Sequence, residues 1–258
     1  MIGDRLKLQE YQINYPYNFK FLITKELFVF IDNLGLCVKI HIVMPKNNPK
    51  LNTTIMVYID TFDSDTVVGE VEPAIRNELI QSCTDKLAKQ QRYCVWRLFD
   101  YALHECYDGG TADFNFYVDD NGKWNCHNGI EFSLAHSNNV VAVAVCNHYV
   151  GVDIEAVDRF THLVDNDSFL SRILTDNEKN LLNETPTEHK AEVLATLWTK
   201  KESFYKLQSR KAFNLKSFDM TVLKCAYSQI LTIDGVQYAL SVSRYIPSKI
   251  EIVWRKHD

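Results

Sequence analysis

Gly151-Val152-Asp153-Ile154-Glu155 alternates apolar and acidic residues, which is the two-residue period of a strand with one buried face. Val152 and Ile154 then point into a core. Asp153 and Glu155 point the other way, about 7 Å apart along the backbone. Downstream, Trp198-Thr199-Lys200-Lys201-Glu202-Ser203-Phe204-Tyr205-Lys206 reads as a helix. Trp198, Glu202 and Lys206 fall at i, i+4 and i+8 and share a face, with Trp198 expected against the sheet. Two carboxylates that close repel one another, so a cation between them has a physical motive. Mg²⁺ takes oxygen ligands and keeps positions for water or phosphate oxygens. Mn²⁺ accepts the same donor set. Asp153, Glu155 and Glu202 are the candidate metal ligands. Lys206 would neutralise phosphate charge or protonate a leaving group. The spacing is equally that of surface charge, an acidic strand end followed by an ordinary Glu–Lys helix pair.

The 258 residues are 46% hydrophobic, enough for one large domain or two small ones. A net charge of −5 argues against a nucleic-acid-binding chain as a whole. The seven cysteines are scattered without a C-x-x-C pair, which disfavours a zinc knuckle and fits free thiols in a reducing compartment. Charges at Asp4, Arg5 and Lys7 interrupt any signal-peptide core, and no apolar run approaches membrane-spanning length. A cytoplasmic chain with no membrane partner is expected.

Residues 1–50 are aromatic and β-branched, with a hairpin pattern around Asp32-Asn33-Leu34-Gly35 and a loop at Pro45–Pro49. A strand over Ile55–Ile59 precedes a helix opened by Pro73 and running to about Gln81, and a second, capped by Thr84 or Asp85, to about Cys106. Strands are predicted at Phe114–Val118, Glu131–Leu134, Val140–Val145 and Tyr149–Glu155. The first of the four is followed by a turn at Asp119–Gly122, and the second ends in a polar His136-Ser137 turn. His136 thus lies one hairpin ahead of the acidic strand, where a histidine and exposed N–H groups suit phosphate. Thr175-Asp176-Asn177-Glu178 is a capping-box pattern. A long helix over His189–Leu207 is followed by strands at Phe218–Leu223, Ile230–Ile233, Tyr238–Val242 and Ile250–Trp254, with Asp234-Gly235 as a hairpin turn. The order predicts an α+β fold of two similar halves, 51–147 and 148–258, after an N-terminal β-rich extension over 1–50.

These residues resemble a known family. The pair Gly151–Glu155 and Trp198-x-x-Lys201-Glu202-Ser203-x-x-Lys206 is similar to the signature of the Sfp-type 4′-phosphopantetheinyl transferases. Ser133–Ser137 resembles the family's upstream Ser-His-Ser motif, and Arg172–Glu178 the segment between its acidic motifs. Gly122-Lys123 resembles its Gly-Lys-Pro element, and the stretch around Lys89–Arg92 its N-terminal basic helix. The resemblance implies two α/β halves related by a pseudo-two-fold axis, a cleft between them, and a monomer. It also implies transfer of the phosphopantetheine arm of coenzyme A to a serine of an apo acyl or peptidyl carrier protein, releasing 3′,5′-ADP. Asp153, Glu155 and Glu202 would bind Mg²⁺, Glu202 would be the base, and Lys206 would assist departure. Arg92, Lys123, His136 and Lys201 would hold coenzyme A. Ala135 stands where the family has serine, Trp124 where it has proline, and Gln208–Ala212 lacks its glycines.

Lys200, Lys201, Lys206, Arg210 and Lys211 form a basic rim that could steer an acidic carrier. Two rival readings compete with the transferase. A metal-dependent nuclease would use the same acids but gives no reason for the His136 segment. A degenerate carrier-binding module would draw support from Ala135 and none from the intact acids.

Overall fold

The computed structural model describes residues 27–31, 36–40, 48–120, 122–208 and 214–255. The turn at 32–35, the segment 209–213 with Arg210 and Lys211, and most of the expected extension lie outside the described residues. Two compact units result, 1–44 and 45–258. Within the first, β1 (Leu27–Ile31) pairs antiparallel with β2 (Leu36–Ile40).

The second unit holds β3 (Thr54–Thr61), α1 (Ala74–Gln81), α2 (Lys86–Cys106), β4 (Phe116–Val118), β5 (Trp124–Cys126), β6 (Glu131–Ser137), β7 (Val140–Cys146) and β8 (Val150–Ala156). It continues through α3 (Asp167–Ile173), α4 (Asp176–Glu184), α5 (Lys190–Gln208), β9 (Ala226–Ile233), β10 (Val236–Arg244) and β11 (Lys249–Trp254). One sheet runs β11-β3-β7-β6 and another β8-β10-β9, with β4–β5 a separate ribbon. The architecture is mixed α+β. β11 returns from the end of the chain to pair in parallel with β3, so the first sheet draws on both ends of this unit.

Alternation sorts the side chains into layers. Met56, Tyr58, Phe132, Val141, Val143 and Val145 face one side of the first sheet and pack on Trp96, Phe99 and Leu103 of α2. Phe99 stacks on Phe132 at 4.2 Å between centroids. Ile55, Val57, Ile59, Ala135, Ala142 and Ala144 face the other side, against Val152, Ile154, Leu240 and Val242 of the second sheet. The remaining face of that sheet meets α5 through Ala239, Phe204 and Leu207. The layers therefore run α2, first sheet, second sheet, α5.

The edge strands β6 and β8 meet at a seam. There Ser133 Oγ accepts from Val152 N and Ser137 Oγ accepts from Ala156 N, both at 3.0 Å. Side-chain hydroxyls thus take the place of backbone pairing on the edge of β8 that faces β6, while its other edge pairs with β10. The polar residues that read as a turn after Leu134 are therefore strand, continuous to Ser137, and the chain reverses at Asn138 in a left-handed conformation (φ 50°).

Local signals hold elsewhere. Asp85 caps α2 by accepting from Ala88 N, and Asp234-Gly235 turns the β9–β10 hairpin with φ of 50° and 80°. Thr175 and Glu178 form the capping box of α4. Thr175→Ala is expected to lower stability by about 1 kcal/mol, read by urea denaturation. The strand expected over Phe218–Leu223 is instead a turn: Asp219 Oδ1 accepts from Thr221 N at 2.9 Å, and its Oδ2 accepts from Asn177 Nδ2 at 2.7 Å. Trp198 stacks on Phe169 of α3, centroids 5.7 Å apart, and packs against the cluster that α5 forms with Ala239 of the second sheet.

Candidate active site

The seam brings opposite faces of the two sheets to one place. His136 projects from the α2 side of β6, while Asp153 and Glu155 project from the α5 side of β8. α5 reaches them because it rides unusually low on its sheet. A Cβ on Gly151 would lie 1.8 Å from Ser203 O and 2.7 Å from Leu207 N. Thr199 Oγ1 and Ser241 Oγ, and Ser203 Oγ and Ser243 Oγ, hydrogen-bond at 2.8 Å between helix and β10. Glu202 and Lys206 are thereby pressed toward β8.

Lys206 Nζ donates to Asp153 Oδ1 at 2.8 Å and to Leu134 O and Val152 O at 3.1 Å, straddling the seam. Asp153 is 6% exposed, and its Oδ2 is buried without a hydrogen-bond partner. Burial pushes its carboxyl up to about 7, and the nearby Glu155 and Glu202 add to the rise against the pull of Lys206. Burial raises Glu202 too, with Glu155 adding and Lys206 opposing. Glu155 Oε2 accepts from Ser137 Oγ at 2.7 Å and from Arg159.

On the other wall, desolvation and then the charges of Lys206, Arg92 and Arg76 push His136 down to about 4. Its ring also meets solvent, which softens the desolvation, but the direction leaves the imidazole neutral at neutral pH. Arg76 was not legible in the sequence. Its guanidinium lies 4.8 Å over Trp96 and 5.4 Å over Trp124, its Nη2 donates to Arg92 O at 3.2 Å, and its Nε is buried without a partner. Burial and Arg92 push it down to about 10, which still leaves it charged at pH 7. Arg76, Arg92, His136 and Lys206 thus line a cationic wall facing Asp153, Glu155 and Glu202. No spacing pattern marks Arg76 in the eight residues of α1.

One expected coenzyme-binding residue stands elsewhere. Lys201 is fully buried: its Nζ meets Glu178 Oε2, Leu215 O and Phe218 O, so it ties α5 to α4 and the loop beyond. An ammonium with its donors so committed cannot hold a ligand, and the coenzyme assignment of Lys201 is corrected to a structural one. Burial pushes the Lys123 ammonium down, against the pull of Glu131 and Asp119. Its chain neighbour Trp124 lies 5.4 Å from the Arg76 guanidinium. Of the expected basic rim, Lys201 is internal and Lys206 belongs to the site.

Among the described residues, no group of three His, Cys, Asp or Glu side chains closes around a metal position. The donor set nonetheless fits a hard divalent cation. Asp153 offers a buried oxygen with no partner, and Glu155 and Glu202 crowd negative charge around it. Lys206 pairs with Asp153 Oδ1 and Arg159 with Glu155 Oε2 as internal counter-cations.

Residues 149–243, from the start of β8 to β10, match the family model of the 4′-phosphopantetheinyl transferase superfamily. This is the segment that supplies Asp153, Glu155, Glu202 and Lys206. The acidic half of the site lies within that match. Over 61 residues the chain is 39% identical to the holo-[acyl-carrier-protein] synthase of Mycoplasma genitalium, covering 23% of this chain and 54% of that protein. The chain thus spans about half the length of the curated relative it matches. The superfamily match leaves out α2 and β6, which carry the cationic wall. Among the described residues no helix is long and apolar enough to cross a membrane.

Proposed function

We propose that the chain is an Sfp-type 4′-phosphopantetheinyl transferase. It would take the phosphopantetheine arm of coenzyme A to a serine of an apo acyl or peptidyl carrier protein and release 3′,5′-ADP. The observation that supports this best is the buried, unpartnered Asp153 Oδ2, flanked by Glu155 and Glu202 and bridged to Lys206. Asp153, Glu155 and Glu202 would hold Mg²⁺ or Mn²⁺, which when bound neutralises pyrophosphate charge. Glu202, made more basic by burial, takes the serine proton directly or through water. The serine oxygen forms its bond to the β-phosphorus as the bond to the departing 3′,5′-ADP breaks. Lys206 balances the charge that collects on that leaving phosphate. Neutral His136 and the guanidinium groups of Arg92 and Arg76 bind the nucleotide phosphates and fix the line of attack.

The degenerate-module reading leaned on Ala135. That residue packs at 2% exposure between the two sheets, away from the cleft, so its missing hydroxyl removes no ligand contact. The test is labelling of a panel of apo acyl and peptidyl carriers with fluorescent coenzyme A and Mg²⁺. At least one carrier is expected to be labelled, with Asp153→Ala and Glu202→Ala each about a hundredfold slower or worse. Absence of labelling with Mg²⁺ and Mn²⁺ alike, or labelling indifferent to both substitutions, would sink the reading.

A further inference from the structure

We infer that Ser137 is a positioning residue that aims Glu155 at the metal, an inference that rests on the metal-dependent reading above. A serine hydroxyl has a single hydrogen and two lone pairs. Ala156 N donates to Ser137 Oγ at 3.0 Å, which occupies one lone pair. The hydrogen goes to Glu155 Oε2 at 2.7 Å. Arg159 donates to that same oxygen. Oε2 is thus committed to two donors, which leaves Oε1 as the oxygen for the metal. Ser137 is 2% exposed, sits on the strand next to His136, and is tied to the backbone one residue beyond Glu155. It therefore joins the first sheet to a carboxylate of the second. A carboxylate that supports a metal through a fixed hydrogen bond loses affinity when that bond is removed, by roughly 10- to 100-fold.

Ser133 supplies an internal control. Its hydroxyl accepts from Val152 N at the same 3.0 Å across the same seam, but its bond reaches no carboxylate. Ser133→Ala and Ser137→Ala each delete one seam bond, and only the second frees Glu155.

The experiment is Mn²⁺ titration of the full chain by calorimetry, with thermal melts recorded alongside. Wild type should bind Mn²⁺, and Asp153→Ala should abolish binding. Ser137→Ala should weaken affinity by roughly 10- to 100-fold, Ser133→Ala should leave it at the wild-type value, and Ser137→Thr, which keeps the hydroxyl, should restore it. Equal affinities for the two alanine variants, or failure of threonine to rescue a folded protein, overturn the positioning role while the metal site stands. If wild type and Asp153→Ala behave alike, the metal reading itself falls and takes the role of Ser137 with it.

Discussion

Gly151→Ala is expected to unseat α5 and silence the protein. The added methyl would sit 1.8 Å from Ser203 O and 2.7 Å from Leu207 N, against about 3.5 Å for comfortable contact. Both clashing atoms are helix backbone, so no rotamer change can relieve them. The helix must lift by more than an ångström. That displacement would break the hydroxyl pairs Thr199–Ser241 and Ser203–Ser243, each buried and each 2.8 Å long. Overpacking contributes roughly 1–3 kcal/mol and each lost pair roughly 1, for a total of about 3–5 kcal/mol. The same lift carries Glu202 and Lys206 away from Asp153. Urea denaturation reads the first effect and carrier labelling the second. An alanine variant within about 1 kcal/mol of wild type and fully active would show that α5 is not held at this depth.

The second large effect is expected at Lys201. Its ammonium is fully buried against Glu178, and Glu178 also accepts from Thr175 N and Met220 N, both at 2.8 Å. One carboxylate thus holds the start of α4, the turn after 218 and the middle of α5. Lys201→Met leaves that carboxylate charged and unpaired in the interior, a loss of about 3–5 kcal/mol. Adding Glu178→Gln removes the charge, and the double variant is expected to be more stable than Lys201→Met alone. Where Lys201→Met is still folded, the KM for coenzyme A should be unchanged, because the ammonium is committed internally. A raised KM without loss of stability would return Lys201 to the coenzyme site.

The acidic side of the site was readable because its geometry is local. A period of two puts Asp153 and Glu155 on one face, and a spacing of four aligns Glu202 with Lys206. Lys201 shows where locality ends. It lies next to Glu202 in the chain, yet it faces α4, and only the tertiary position of Glu178 decides which lysine is internal. β6 was read three residues short for a similar reason. Ser133 and Ser137 break the expected apolar alternation because the face they occupy meets the N–H groups of β8. Arg76 carried no signal, since its meaning depends on Trp96 and Trp124 folding around it. Gly151 was quoted as part of a motif, but its reason, a helix backbone within bonding distance of any side chain placed there, exists only after α5 has docked.

The parallel pairing of β11 with β3 spans 195 residues between Lys249 and Thr54. A ribosome delivers these strands in order, and the first sheet therefore waits with an open edge on β3 until residues 249–254 have emerged. Sheets whose partners are so far apart in sequence are slow to close. A nascent chain stalled before residue 249 would already contain every acid and base of the cleft, yet would display the unpaired edge of a strand otherwise buried in the core. During synthesis, that edge is the place where a chaperone would have most to protect.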